Sequence, residues 1–155
     1  MAQFSEVATA EQGGMLGRYR LLGSLLQHLG GVREQVEKQF TERSPLSRHA
    51  DIEPETRKRW EEELEAAVEA EYRRRRADLL VSLQWWCRDV WLRTLQAGEG
   101  LLEFPEMTGA RQLAQRLSSQ QALANLGMLE RTQRLLNTNV QEALALEVGL
   151  LKLNL

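Results

Sequence analysis

The sequence holds little of the material from which most catalytic and metal sites are built. Among 155 residues there is one cysteine, Cys87, and there are two histidines, His28 and His49. A single cysteine excludes an internal disulfide and a zinc site of clustered cysteines. We therefore expect Cys87 to be a small buried residue and His28 to be a partly buried histidine rather than a ligand. The sequence predicts no cofactor.

The short motifs that carry common chemistry are also missing. The chain has no phosphate-binding loop of the form GxxxxGKS or GxxxxGKT, no HExxH and no GxSxG. Its carboxylates lie in charge runs, which are typical of solvated helix faces. Without a clustered base, ligand or nucleophile, the sequence favours a protein that is not an enzyme.

No charge of one sign dominates, and no apolar run is long. The 20 Lys and Arg residues and 22 Asp and Glu residues give a net charge of -2, which provides no general attraction to nucleic acid or membranes. A run of about 18 apolar residues, as a membrane span requires, does not occur. The first five residues do not resemble a signal peptide. We expect a cytoplasmic protein that does not span a membrane.

Prolines are scarce, and they lie at the boundaries of the predicted helices rather than inside them. There are three, and no stretch alternates with a period of two, so the pattern predicts an all-α helical bundle. From Pro54 to about Ala97 no residue breaks the helix. That predicts one helix of about 44 residues and roughly 66 Å, too long for a compact domain to cover unless it kinks. Part of it should project or pack against something else.

The other helices are predicted from leucine spacing, caps and breakers. One begins near Met15 and is either broken or weakened at Gly30–Gly31. The following segment ends at Ser44–Pro45, because the residue before proline avoids the helical region. A further helix should open at Thr108 or Gly109. Another should be capped by Ser118 or Ser119.

The first half of the long helix is a charge run, ETRKRWEEELEAAVEAEYRRRR. Glu69 can pair with Arg73, and Glu71 with Arg75, in the favourable i to i+4 order. The cluster Arg73–Arg76 surrounds the helix, so we predict that it faces solvent rather than a core. Contact with another subunit and contact with nucleic-acid phosphates are the alternatives, and neighbouring acids weaken the second.

The second half of the long helix, ADLLVSLQWWCRDVWLRTL, is apolar around most of its circumference. It contains Trp85, Trp86 and Trp91, each of which can bury on the order of 200 Å². We expect all three to be core residues, because base stacking would need exposed aromatic rings in a basic groove.

Two ion pairs are predicted around these tryptophans. Asp89 and Arg93 have the spacing of an i, i+4 pair. Arg88 lies between tryptophans and is a candidate partner for a buried carboxylate, for which we suggest Glu147.

The end of the chain combines a polar turn with a leucine-rich helix. In the sequence NTN, Asn137 should end one helix and Asn139 should cap the next as a variant of the capping box, with Glu142 as the third helical residue. The helix should then run to the last residue. It carries two apolar faces: one includes Leu144 and Leu151, and the other includes Leu146 and Leu150. Either the bundle buries both faces or one face belongs to a neighbouring subunit.

The segments WCRDVWL and RLLNTNVQEALALEVGLLKL, joined by a loop and a leucine helix, resemble the collar domain of the bacterial DNA polymerase III clamp loader. The resemblance is to the delta-prime subunit, with gamma/tau as the close alternative. Its most specific part is the N-x-N turn followed by L-x-L-E. The resemblance covers residues 75–155 and extends over 13–75 through a longer helical insert than usual.

The resemblance implies a function in DNA replication. In that family, collars of five subunits pack in a ring that holds the sliding-clamp loader together. Residues 1–155 would be a single non-catalytic oligomerisation domain, and we expect an AAA+ ATPase module upstream of Met1. The implied partners are the gamma/tau and delta subunits, with DNA contacted only indirectly.

The residues expected to carry structure and subunit contact are Trp85, Trp86, Arg88, Asp89, Trp91, Asn137, Asn139, Leu144, Leu146, Glu147, Leu150 and Leu151. The alternative function is a helical nucleic-acid-binding domain that uses Arg73–Arg76.

Overall fold

The computed structural model describes residues 2–9, 14–47 and 53–155, so His49 lies outside the described part of the chain. All regular elements in these ranges are helical, which confirms the all-α prediction. The α-helices are α1 (Ala2–Thr9), α2 (Met15–Arg43), α3 (Pro54–Thr94), α4 (Thr108–Ala114), α5 (Ser119–Leu136) and α6 (Glu142–Leu150), with short 3-10 segments at Pro45–Ser47 and Glu99–Leu101.

The helices pack into two compact units. Unit 1 comprises residues 1–26 and 79–155, and unit 2 comprises residues 27–78. The first part of α2, up to Leu26, and the second part of α3, from Leu79, belong to unit 1. The second part of α2 and the first part of α3 belong to unit 2. Helices α1, α4, α5 and α6 belong to unit 1.

Unit 1 has an apolar core to which every one of its helices contributes. Fully burying a leucine or tryptophan side chain stabilises the fold by about 1.5–3 kcal/mol or more. Its largest fully buried side chains are Leu21, Leu80, Leu83, Trp86, Val90, Leu113, Leu129, Leu146, Leu150 and Leu153.

Unit 2 pairs the second part of α2 with the first part of α3 around a narrow core. Val36 and Tyr72 are buried there. The guanidinium groups of Arg33 and Arg76 lie 4.7 and 5.8 Å from the centre of the Tyr72 ring. Such cation–π contacts stabilise by about 0.5–2 kcal/mol each. Arg76 is only 8% exposed, so the prediction that Arg73–Arg76 as a whole faces solvent is wrong at this residue.

Several helix bounds match the predictions and others do not. Helix α3 begins at Pro54, and α4 begins at Thr108, as the sequence indicates. Helix α2 continues through Gly30–Gly31, because Leu29 and Val36 are buried on either side and offset the cost of about 1 kcal/mol per glycine. Helix α1 was not predicted. Helix α6 ends at Leu150 rather than at the last residue.

Candidate interaction surface

The turn between α5 and α6 differs from the predicted one. Asn137 is the C-cap of α5, as expected, but the N-cap of α6 is Gln141, whose side chain makes no capping hydrogen bond. The backbone N–H of Thr138 still donates to the carbonyl oxygen of Leu135, at 3.0 Å. Asn139 therefore lies in the connection between the two helices, two residues before the N-cap of α6. The predicted capping box at Asn139 is wrong.

One face of α6 packs closely on α5. Ala145, Leu146, Gly149 and Leu150 are buried. A Cβ atom built on Gly149 would lie 2.1 Å from Oγ1 of Thr132, so the two helices approach at a distance that only glycine permits. Leu146 and Leu150, which the sequence places on one apolar face, are both on the face that unit 1 covers.

The opposite face of α6 is apolar and open. Leu144 is 51% exposed and Val148 is 41% exposed, while Leu151 is half-buried. Residues at spacings of four and three lie along one side of a helix, so these three side chains form a single stripe. We call Leu144, Val148 and Leu151 the α6 stripe. Of the two predicted apolar faces, unit 1 covers one and leaves much of the other in solvent.

The start of α2 lies beside the end of the α6 stripe. Arg18 donates through Nη1 to the carbonyl oxygen of Leu151, at 3.0 Å. Met15, Leu16 and Tyr19, in the first turns of α2, are exposed. A second group of exposed apolar side chains therefore lies at the same end of unit 1 as Leu151.

Arg88 does not pair with Glu147, which is half-buried on α6. Its Nη1 donates to the carbonyl oxygen of Leu101 at 3.0 Å and lies 3.7 Å from Oδ1 of Asp89. Its guanidinium group also lies 5.1 Å from the centre of the Trp85 ring. These three nearer partners account for the position of Arg88, so the suggested pair with Glu147 is wrong.

Asp89 holds the connection between α3 and α4. Its fully buried carboxylate accepts the backbone N–H groups of Glu103 at 3.1 Å and Phe104 at 2.7 Å. Arg93, the predicted partner of Asp89, instead donates through Nη2 to the carbonyl oxygen of Pro105 at 2.8 Å. The predicted Asp89–Arg93 pair is wrong, because backbone groups of the following loop occupy both side chains.

The three clustered tryptophans have different environments. Trp86 is 1% exposed, which confirms its place in the core, and Trp91 is half-buried. Trp85 is 43% exposed, so its predicted core position is wrong. Neighbouring residues on a helix point about 100° apart, and the core of unit 1 covers the side of α3 that carries Trp86.

In the charge run of α3, acidic and basic side chains pair with one another. The predicted pairs Glu69–Arg73 and Glu71–Arg75 are both present, each with an N–O distance of 2.8 Å. Arg74 also contacts Glu71 at 2.8 Å. Hydrogen bonds from Arg74 and then Arg75 lower the pKa of Glu71 to about 2. This pairing disfavours Arg73–Arg75 as a binding site for nucleic-acid phosphates.

A pair of asparagines that the sequence did not reveal holds the last residues of the chain. Buried Asn125 on α5 donates through Nδ2 to the carbonyl oxygen of Asn154, and its Oδ1 accepts the backbone N–H of Asn154, both at 2.7 Å. We call this arrangement the asparagine clasp. The only sequence signal was an asparagine on the apolar side of a predicted helix, which gives no indication of its partner.

The described residues provide little for catalysis. They contain no group of three or more His, Cys, Asp or Glu side chains that could hold a metal ion. Burial raises the pKa of the Cys87 thiol to about 12, so the thiol is not a nucleophile near neutral pH. His28 is exposed rather than partly buried as expected.

None of the helices in the described ranges combines the length and apolarity needed to cross a bilayer. No family model, no curated protein and no solved structure matches the chain.

Proposed function

We propose that unit 1 is a non-catalytic assembly domain that packs against other protein chains through the α6 stripe. The observation that carries this proposal is the exposure of Leu144 and Val148 on a helix whose other face is buried. Single exposed apolar residues are common on protein surfaces. A row of them on one helix, beside further exposed apolar residues of α2, is the kind of patch that marks protein–protein contact.

We further propose that these partners are the other subunits of a bacterial DNA polymerase III clamp loader. Support for this step comes from the resemblance of residues 75–155 to clamp-loader collars, above all from the N-x-N turn and the L-x-L-E motif. Leu144, the first leucine of that motif, lies on the open face of α6. In this proposal the chain acts in DNA replication and contacts DNA only indirectly.

The decisive experiment is size-exclusion chromatography with light scattering on the chain mixed with the gamma/tau and delta subunits from the same genome. We expect a complex with a mass greater than that of any single component. The double substitution Leu144→Ser and Val148→Ser should abolish it, because two polar side chains would interrupt the apolar contact.

Leu101→Ser is the matched control, because Leu101 is also an exposed leucine of unit 1 and lies on the α3–α4 connection rather than on α6. This variant should bind as the unsubstituted chain does. A chain that never co-migrates with the clamp-loader subunits would contradict the clamp-loader proposal. Equal loss of binding in both variants would contradict the role of the α6 stripe.

A further inference from the structure

Helix α1 is a short element of unit 1 that packs against α3 and α4. It has eight residues, and Phe4, Ser5, Ala8 and Thr9 are buried. Isolated helices shorter than about 12–15 residues are marginal in water. Packing on unit 1 is therefore what keeps α1 helical.

The surface beneath α1 is shaped to receive a helix. The Phe4 ring meets the Trp86 ring edge to face, with their centroids 5.5 Å apart and their planes at 86°. On α4, a Cβ atom added to Gly109 would lie 2.0 Å from Oγ of Ser5 and 3.0 Å from its carbonyl oxygen. Glycine at position 109 thus allows the backbones of α1 and α4 to come close together. We call the surface formed by Trp86 and Gly109 the α1 groove.

Polar contacts do little to hold α1 in this groove. In the described part of the chain, the side-chain hydrogen bonds of α1 are internal: Thr9 donates through Oγ1 to the carbonyl oxygens of Ser5 and Glu6, at 2.8 and 3.2 Å. The indole N–H of Trp86 is buried without a hydrogen-bond acceptor, so α1 makes no hydrogen bond to this ring. The asparagine clasp on α5 has the directional bonds that α1 lacks.

We propose that α1 is a detachable cap: it leaves its groove and unwinds while the rest of unit 1 remains folded. Undocking exposes Trp86 and Gly109. The vacated groove fits a short helix that has a phenylalanine followed directly by a small residue, with a second small residue four positions after the phenylalanine, as in Phe4, Ser5 and Ala8 of α1. The resident occupant is α1 of the same chain. This cap is independent of the α6 stripe and of the identity of any partner.

Hydrogen-exchange mass spectrometry on the full chain tests the cap directly. We expect the amides of α1 to exchange on the order of 100-fold faster than those of α5, because α1 opens locally whereas α5 opens with the whole unit. Equal exchange rates in α1 and α5 would overturn the proposal.

The substitution Gly109→Val provides the second arm, with Gly127→Val as its matched control. A valine at 109 cannot fit beneath Ser5, whereas a Cβ at Gly127 on α5 meets nothing within 4 Å. We expect Gly109→Val to raise exchange in α1 at least about tenfold and to leave α5 and α6 unchanged. Gly127→Val should leave α1 unchanged. If Gly109→Val instead raised exchange throughout unit 1, α1 would be an integral part of the fold and the cap would be refuted.

Discussion

Replacing the buried carboxylate of Asp89 should lower the stability of unit 1 more than replacing Arg88 or Arg93, the other charged residues near the tryptophans of α3. Both carboxylate oxygens accept backbone N–H groups of the α3–α4 connection, from Glu103 and Phe104. Hydrogen bonds to a charged group stabilise by about 1.5–3 kcal/mol each. Asp89→Ala would leave both donors without an acceptor, so we expect it to lower the free energy of unfolding by about 3–5 kcal/mol.

Asp89→Asn removes the charge and one hydrogen-bond acceptor but keeps the volume of the side chain. It therefore tests the hydrogen bonds of Asp89 apart from its packing. The amide keeps one acceptor oxygen but presents an NH₂ group to the second backbone donor. We expect a loss of about 2–3 kcal/mol, because one charge-assisted bond disappears and the other becomes neutral.

Urea unfolding followed by tryptophan fluorescence is a suitable assay, because Trp85, Trp86 and Trp91 all lie in unit 1. With a denaturant slope of about 2 kcal/mol per molar urea, Asp89→Asn should lower the midpoint by about 1–1.5 M. Glu103→Gln is the control, since Glu103 contributes only its backbone N–H, and it should change stability by less than about 0.5 kcal/mol. A midpoint for Asp89→Asn within about 0.2 M of the unsubstituted chain would refute the reasoning.

Two further predictions concern the asparagine clasp and the charge run. Asn125→Ala should lower the free energy of unfolding by about 2–3 kcal/mol and speed amide exchange at Asn154, because it removes two short bonds to one backbone unit; unchanged exchange at Asn154 would contradict it. The pKa of Glu71 in the folded chain, about 2, lies below the ordinary value of 4.5 for a glutamate side chain. Its contribution to stability is therefore full above pH 4.5 and is lost as the pH falls through about 2. The stability advantage over Glu71→Gln, measured by urea unfolding, should be largest near neutral pH and vanish toward pH 2; a difference independent of pH would contradict this.

The features that the sequence predicted are those encoded by residues close together along the chain. Pro54 fixes the start of α3, because proline suits the first helical position. Of the two predicted caps for α5, Ser118 and Ser119, the structure uses Ser118, which forms a capping box with Gln121. The pairs within the charge run follow from helical spacing alone, and both are present.

The features that the sequence did not reveal depend on distant parts of the chain. Asp89 and Arg93 have the spacing of an ion pair, yet a loop more than ten residues away provides better partners for both. Helix α1 forms only against the α1 groove, and no short-range sequence pattern predicts a groove built from residues far away in the chain. Trp85 and Trp86 could not be told apart, because a helix segment that is apolar on every side does not indicate which side the core covers.

The contact between Gly149 and Thr132 predicts how this chain can vary over evolution. The two positions share one small volume, so a larger residue at 149 is tolerated only where residue 132 loses its branched side chain. Among natural relatives, alanine at 149 should therefore accompany glycine or alanine at 132, and the two positions should change together rather than independently.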